Sequence, residues 1–394
     1  MTASLLSERL KCEGYRLGFD QVGIAPAVSP PGYPRYLEWL DAGFAAGMSY
    51  LERHAEARRH PDQLLEGVRS VVMVSVVYGR PDSSGPGPTQ GKVARYARGL
   101  DYHRVVRDRL EALLEWLRGE CPQVRGRVVV DTAPLLERDF ARLAGLGWIG
   151  KNTMLINRQL GSFTFLGALL VDAELAPDPP HASAHCGTCT RCLEACPTAA
   201  FEAPYQLDAR RCISYWTIEH RGPIPDDFAD RLHGWVFGCD ICQDVCPWNR
   251  KAPPGRLNEF DAPAERTNPD LVDWLRRDSG AWAAALKGTA LARAKRAGLL
   301  RNAALILGQR RERSAAEPLR QRLEDPAEDA TVRAAAAWAL QKICGPLDCL
   351  PPENLSAPPA EVGEPTLPRQ EPERFAGDAP GCPPSIDCGS WSKR

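Results

Sequence analysis

The sequence predicts a mixed fold, α/β and α+β, in successive parts: an α/β domain over residues 1–180, a small cysteine-rich module over 181–255, and a helical region over 256–345. Three observations predict it. Helical spacing alternates with short β-branched runs up to about residue 180, the pattern of layered α/β domains. Eight of the fourteen cysteines lie between Cys186 and Cys246. From Trp274 onward alanine and leucine recur at helical spacing. A length of 394 residues allows two or three domains. The longest apolar run, Val71 to Val77, is far short of the roughly 20 residues a membrane span needs, and no export signal is apparent. Both point to the reducing cytoplasm, where thiolates stay free to bind metal.

Taken in order, Ser4 to Leu17 carries apolar positions at helical spacing and Gln21 to Ala25 reads as a short strand. A helix from Pro34 places Tyr36, Leu37, Trp39 and Leu40 together and resumes after a glycine break toward His54. Ser70 to Tyr78 is an unbroken β-branched run, suited to a strand buried on both faces. A Pro- and Gly-rich loop, 79–92, leads to a helix from Tyr102 to Gly119, then to a strand over Arg127–Val130 that ends on Asp131. A helix from Pro134 to Ala144 follows, then strands at Met154–Asn157 and Phe163–Val171. Trp274 to Ile306 reads as helix. Segments 301–308, 315–323 and 332–340 resemble paired HEAT-type helices, which stack by burying Ala- and Leu-rich faces. Residues 346–394 are rich in Pro, Glu and Gly and read as a disordered tail, with Cys382 and Cys388 as bystanders.

The cysteines carry the strongest chemical signal. Cys186-x2-Cys189-x2-Cys192-x3-Cys196-Pro is the spacing of bacterial two-cluster ferredoxins, in which three close thiolates hold one [4Fe-4S] cube and the fourth reaches the other. Cys212 and Cys239-x2-Cys242-x3-Cys246-Pro supply the return. The expected sets are Cys186, Cys189, Cys192 and Cys246 for one cluster and Cys196, Cys212, Cys239 and Cys242 for the second. Zinc sites would not require the repeated Cys-x3-Cys-Pro, and a disulfide framework needs an oxidising compartment.

Other residues leave alternatives open. Asp131 stands at the end of a strand, where a carboxyl desolvated beside a cofactor has a raised pKa and can donate a proton; equally, it can cap the helix starting near Pro134. The Gly145–Gly150 turn lacks the order of a dinucleotide loop. Asp101-Tyr-His103 begins like a cobalamin axial-histidine motif but lacks its glycine, so His103 reads as a hydrogen-bonding residue. Between Lys287 and Arg322, ten Lys or Arg face two Glu. That stretch is a solvated face or a nucleic-acid footprint.

The segments Asp131-Thr-Ala-Pro-Leu-Leu-Glu-Arg138, Gly147-Trp148-Ile-Gly-Lys151-Asn152, Gly161-Ser162-Phe163, Cys212-Ile-Ser214-Tyr215 and Cys246-Pro-Trp248-Asn249 together resemble the epoxyqueuosine reductase family over residues 10–340. The resemblance implies a cobalamin-binding α/β domain like that of reductive dehalogenases, joined to a ferredoxin-like two-cluster module and a HEAT-like end. It also implies a base-off cobalamin that acts, with the two [4Fe-4S] clusters, on the wobble nucleoside of tRNA and turns epoxyqueuosine into queuosine. By the same resemblance Asp131 is the proton donor, and Arg53, Tyr102, Ser162 and Ser214 lie near the corrinoid or substrate. Lys295, Arg296, Arg301, Arg310, Arg311 and Arg313 become the expected phosphate contacts. A monomer served by a low-potential electron donor is expected. The competing readings are a reductive-dehalogenase-like reductase of a small molecule and a plain ferredoxin-type carrier.

Overall fold

In the computed structural model, which describes residues 2–80 and 85–345, a four-stranded sheet organises the first half of the chain. Its strands are β1 (Gln21–Pro26), β2 (Ser70–Val77), β3 (Gly126–Val129) and β4 (Thr164–Val171), arranged β1-β2-β4-β3. Every pairing is antiparallel, and one row across the sheet reads Ile24, Val72, Leu169, Val128. The alternation of helix and strand in the sequence is therefore met without parallel βαβ crossovers.

The period of two sorts the strand residues between two cores. Val72, Val74 and Val76 enter one core with Ile24, Val128 and Leu169; Val71 and Met73 enter the other with Ala25, Val129 and Leu170. All eight β2 residues are consequently buried, each large apolar side chain contributing about 1.5–3 kcal/mol. Helices α1 (Ala3–Arg16) and α3 (Tyr102–Glu120) close the first face through Leu6, Leu10, Val106, Leu110 and Leu113. Between them in sequence, α2 (Tyr33–Asp41) buries only Leu40. The second face is closed by α4 (Glu137–Leu143), through Phe140 and Ala141. A Cβ at Gly167 would sit 2.8 Å from Val106 and 2.9 Å from Leu110, so glycine is what lets α3 lie on β4.

A separate core joins the rest. It gathers Val93–Ala97, α5 (Ile213–Ile218), the strand Trp235–Phe237, and helices α6 (Lys295–Gln309), α7 (Ala316–Glu324) and α8 (Ala330–Cys344). Trp235–Phe237 pairs in parallel with Lys92–Val93, so the cysteine module is stitched to the first half. The described residues belong to one compact unit.

Two helices differ from expectation. The helix expected from Pro134 begins at Glu137, because residues 131–136 turn along a cavity wall. The stretch read as helical from Trp274 to Ile306 is broken into Leu271–Arg276, Ser279–Leu286, a 3-10 turn and α6. Asp278 caps the second piece, and Lys295 adopts a left-handed φ of 59°, so the chain restarts each helix in a new direction. The tail with Cys382 and Cys388 lies outside the described residues. Among the described residues no helix is long and apolar enough to cross a membrane.

Candidate active site

A cavity of about 2220 Å³ opens between the sheet domain and the cysteine module. It has more than twice the volume of a typical small-molecule site, roughly 300–1,000 Å³. Its wall includes Tyr96, Tyr102 and Phe165, and it carries both Asp131 and four cysteines, Cys196, Cys212, Cys239 and Cys242. The other four motif cysteines are not part of that wall.

All eight motif cysteines are free thiols, so they form no disulfide framework. Burial raises the Cys192 thiol most, followed by the charges of Cys186, Cys246 and Cys189; Cys246 is raised by burial and then by Cys186 and Cys189. Likewise burial and then Cys196 raise Cys212, and Cys239 answers to burial, Cys212 and Cys196. Cys242 is pushed up by burial, then by Cys239 and Cys212, with a weaker influence from Cys192. Beyond burial, ionisation of each of these thiols is thus opposed mainly by neighbours from its own expected set. Such sets fit a polynuclear iron centre, whose positive charge relieves the repulsion. Among the described residues no three Cys, His, Asp or Glu side chains are gathered tightly enough for a single metal ion.

Neighbouring residues brace the sets. The Lys151 ammonium donates to the carbonyls of Gly187 (2.7 Å) and Cys189 (3.1 Å), and the Asn152 amide donates to that of Cys242 (3.3 Å). Gly238, just before Cys239, has φ 69°, and a Cβ there would meet Ala94 Cβ at 2.5 Å. Spacing alone could not reveal these supports.

Asp131 does not cap a helix: Leu136 occupies the N-cap position of α4. Instead the Asp131 carboxylate accepts from the Tyr102 hydroxyl at 2.9 Å, and His103 Nε2 lies 3.1 Å from the same oxygen. His103 Nδ1 lies 2.8 Å from Asp101, so an imidazolium donates to both carboxylates. Tyr102 is itself held by stacking on Phe165, with ring centroids 4.4 Å apart. Burial favours a raised Asp131 pKa, as expected from its place in the sequence, but the bonds from His103 and Tyr102 outweigh it and the net shift is downward. His103 moves upward: burial opposes its charge, but Asp131 and Asp101 prevail. The proton of the pair therefore rests on His103. The Asp131 side chain keeps 57% of its exposure and lines the cavity.

Arg53, Tyr102, Ser162 and Ser214 all line the cavity, but not with equal freedom. Tyr102 is committed to Asp131. Buried Ser162 donates to Gln243 at 3.0 Å and accepts from Asn249 at 3.0 Å. Burial raises the Cys212 thiol, and Ser214 offsets part of that rise through its backbone N–H and, more weakly, its hydroxyl. Arg53 is exposed and has no ion pair among the described residues.

The basic stretch divides in the same way. Arg301, expected at a phosphate, is 1% exposed and donates to the carbonyls of Trp216, His220 and Gly222. Arg296 pairs with the fully buried Glu328 carboxylate, and Arg310 donates to the carbonyls of Pro88 and Gln90. These three arginines tie segments together, and Arg301, buried and bonded to carbonyls, has no surface to offer a phosphate. Lys295, Arg311 and Arg313 are exposed. Sequence reading missed Arg35 and Arg138 on the cavity wall, because they come from distant segments and form no run, and did not single out Arg293 within the basic stretch.

Comparison with known proteins agrees with this geometry. Residues 58–132 match the family described as epoxyqueuosine reductase QueG, DUF1730. Residues 185–249 match a 4Fe-4S double cluster binding domain, and 288–351 match HEAT repeats. An epoxyqueuosine reductase from Pseudomonas aeruginosa is 40% identical over 342 residues, covering 86% of this chain and 94% of its own. One from Synechocystis is 44% identical over 287 residues, covering 72% and 98%. Among solved structures, an epoxyqueuosine reductase with an epoxyqueuosine-modified tRNA-Tyr stem loop superposes with a TM-score of 0.81 at 30% identity, covering 87% of this chain and 91% of that one. A Bacillus subtilis relative, whose catalytic aspartate loop is swung out of the active site, gives 0.81 at 29% identity over 87% and 91%.

Proposed function

The chain belongs to the epoxyqueuosine reductase family, and from that premise we propose how its own residues reduce epoxyqueuosine to queuosine in tRNA. The reaction is an oxidoreduction: the epoxide takes two electrons and two protons, both C–O bonds break, an alkene forms and the oxygen leaves as water. The observation that carries the reading is one cavity wall holding both Asp131 and the cysteines Cys196, Cys212, Cys239 and Cys242.

In this reading Cys186, Cys189, Cys192 and Cys246 hold an outer [4Fe-4S] cluster, and Cys196, Cys212, Cys239 and Cys242 hold the inner one beside the cavity. The cavity's volume and its wall, with Tyr96, Tyr102 and Phe165 beside polar groups, fit a corrinoid, with Arg53 the free side chain among those expected to grip it. When bound, these groups supply single low-potential electrons and a strongly nucleophilic cobalt centre suited to an electrophilic epoxide carbon. The proton that rests on His103 passes through the Asp131 carboxylate, hydrogen-bonded to it, to the departing oxygen. Tyr102 fixes the carboxylate's direction. Lys295, Arg311 and Arg313 contact RNA phosphates, and Arg35 and Arg138 stand at the cavity for the nucleotide that enters it. The chain works as a cytoplasmic monomer supplied by a low-potential electron donor.

The test is incubation with epoxyqueuosine-containing tRNA, cobalamin and a low-potential reductant, followed by nucleoside mass analysis. Queuosine should appear with the native chain. Asp131→Ala should keep its iron and cobalamin and lose turnover; a variant converting substrate at the normal rate removes Asp131 from its role.

A further inference from the structure

Glu137 has no task in the chemistry above, yet it touches the residue that does. Strand β3 pairs with β4 only as far as Val129, opposite Ala168, so the Asp131 amide lies beyond the ladder. That amide donates to Glu137 Oε1 at 2.8 Å. Asp131 itself has φ 56°, a left-handed conformation that a non-glycine residue adopts only when its surroundings impose it. In this conformation its carboxylate meets Tyr102 and His103. Released from the amide bond, the backbone has every reason to relax to negative φ and swing the carboxylate elsewhere.

We infer that Glu137 is a positioning residue: by accepting the Asp131 amide hydrogen it fixes the left-handed turn that aims the Asp131 carboxylate at Tyr102, His103 and the cavity. Burial, and then the charge of Asp131, push the Glu137 carboxyl up to about 8. It is therefore largely neutral at pH 7 and does not repel the carboxylate it holds. The inference rests on the reading of Asp131 as the proton-delivering group, and the experiment separates the two.

His103 reports where Asp131 points, because the Asp131 carboxylate raises its pKa. In histidine-labelled, cluster-loaded protein before cobalamin is added, NMR titration should give the native His103 a pKa above the ordinary value of about 6.5. Glu137→Gln, which keeps an acceptor oxygen, should leave it raised. Glu137→Ala, and Glu137→Met, which keeps bulk without the acceptor, should return it toward the ordinary value, with iron content unchanged. In the cobalamin-loaded enzyme, kcat should fall on the order of 100-fold in Ala and Met, with KM for tRNA unchanged and activity rescued in Gln. A His103 pKa unmoved in Ala or Met, or lost in Gln, overturns the inference. A His103 pKa that falls while kcat stays normal keeps the positioning role and rejects Asp131 as the proton-delivering group.

Discussion

Asp131 sits in a left-handed conformation that costs roughly 1–2 kcal/mol and trades it for a carboxylate held by two donors. The electrostatics of that pair set a pH window. The lowered Asp131 pKa contributes stability that is present above about pH 4 and lost as pH falls through its folded value. The raised His103 pKa contributes stability that is complete below about 6.5 and lost as pH rises through its folded value. The stability difference between the native chain and Asp131→Asn should therefore be largest from about pH 4 to 6.5 and decay on both sides. Denaturant midpoints measured from pH 3 to 9 check this; a difference that is flat across the range contradicts the ion pair. In the same variant His103 should titrate near its ordinary value.

Elements were legible where burial made the pattern strict. β2 was visible because a strand covered on both faces is apolar at every position, and α3 because Asp101 caps it and its buried residues keep a 3.6 period. The onset of α4 was not visible, because residues 131–136 follow a cavity wall that only tertiary structure creates. Spacing alone singles out the eight cysteines, while Lys151, Asn152 and Glu137 act through contacts distant or local that no spacing encodes. The basic run misled for a physical reason: arginine is the side chain best able to satisfy several carbonyls at once, so a positive run need not face solvent. Arg301→Ala should strip three carbonyls of their donors, each loss worth about 1–3 kcal/mol, and lower the melting temperature by about 5–10 °C. Arg311→Ala with Arg313→Ala should leave melting unchanged and weaken tRNA binding. Calorimetry and filter binding on both proteins test the division, which is wrong if Arg301→Ala melts like the native chain.

At the scale of the whole molecule, α6, α7 and α8 share one core with Val93–Ala97 and Trp235–Phe237, so these helices and the cysteine module cannot shift independently without opening that core. Binding of tRNA should weaken linearly in log affinity against log salt, with a shallower slope once Arg311 and Arg313 are removed; a salt-independent affinity would reject a phosphate-led grip. The placement of the two thiol sets has a further consequence for handling the enzyme in air. Because Cys196, Cys212, Cys239 and Cys242 meet solvent across the cavity wall, whatever fills that chamber shields them from dissolved oxygen, while the partly exposed loop of Cys186, Cys189 and Cys192 has no such cover. Aerobic bleaching should then proceed in two phases, and a bound stem loop should slow only one of them.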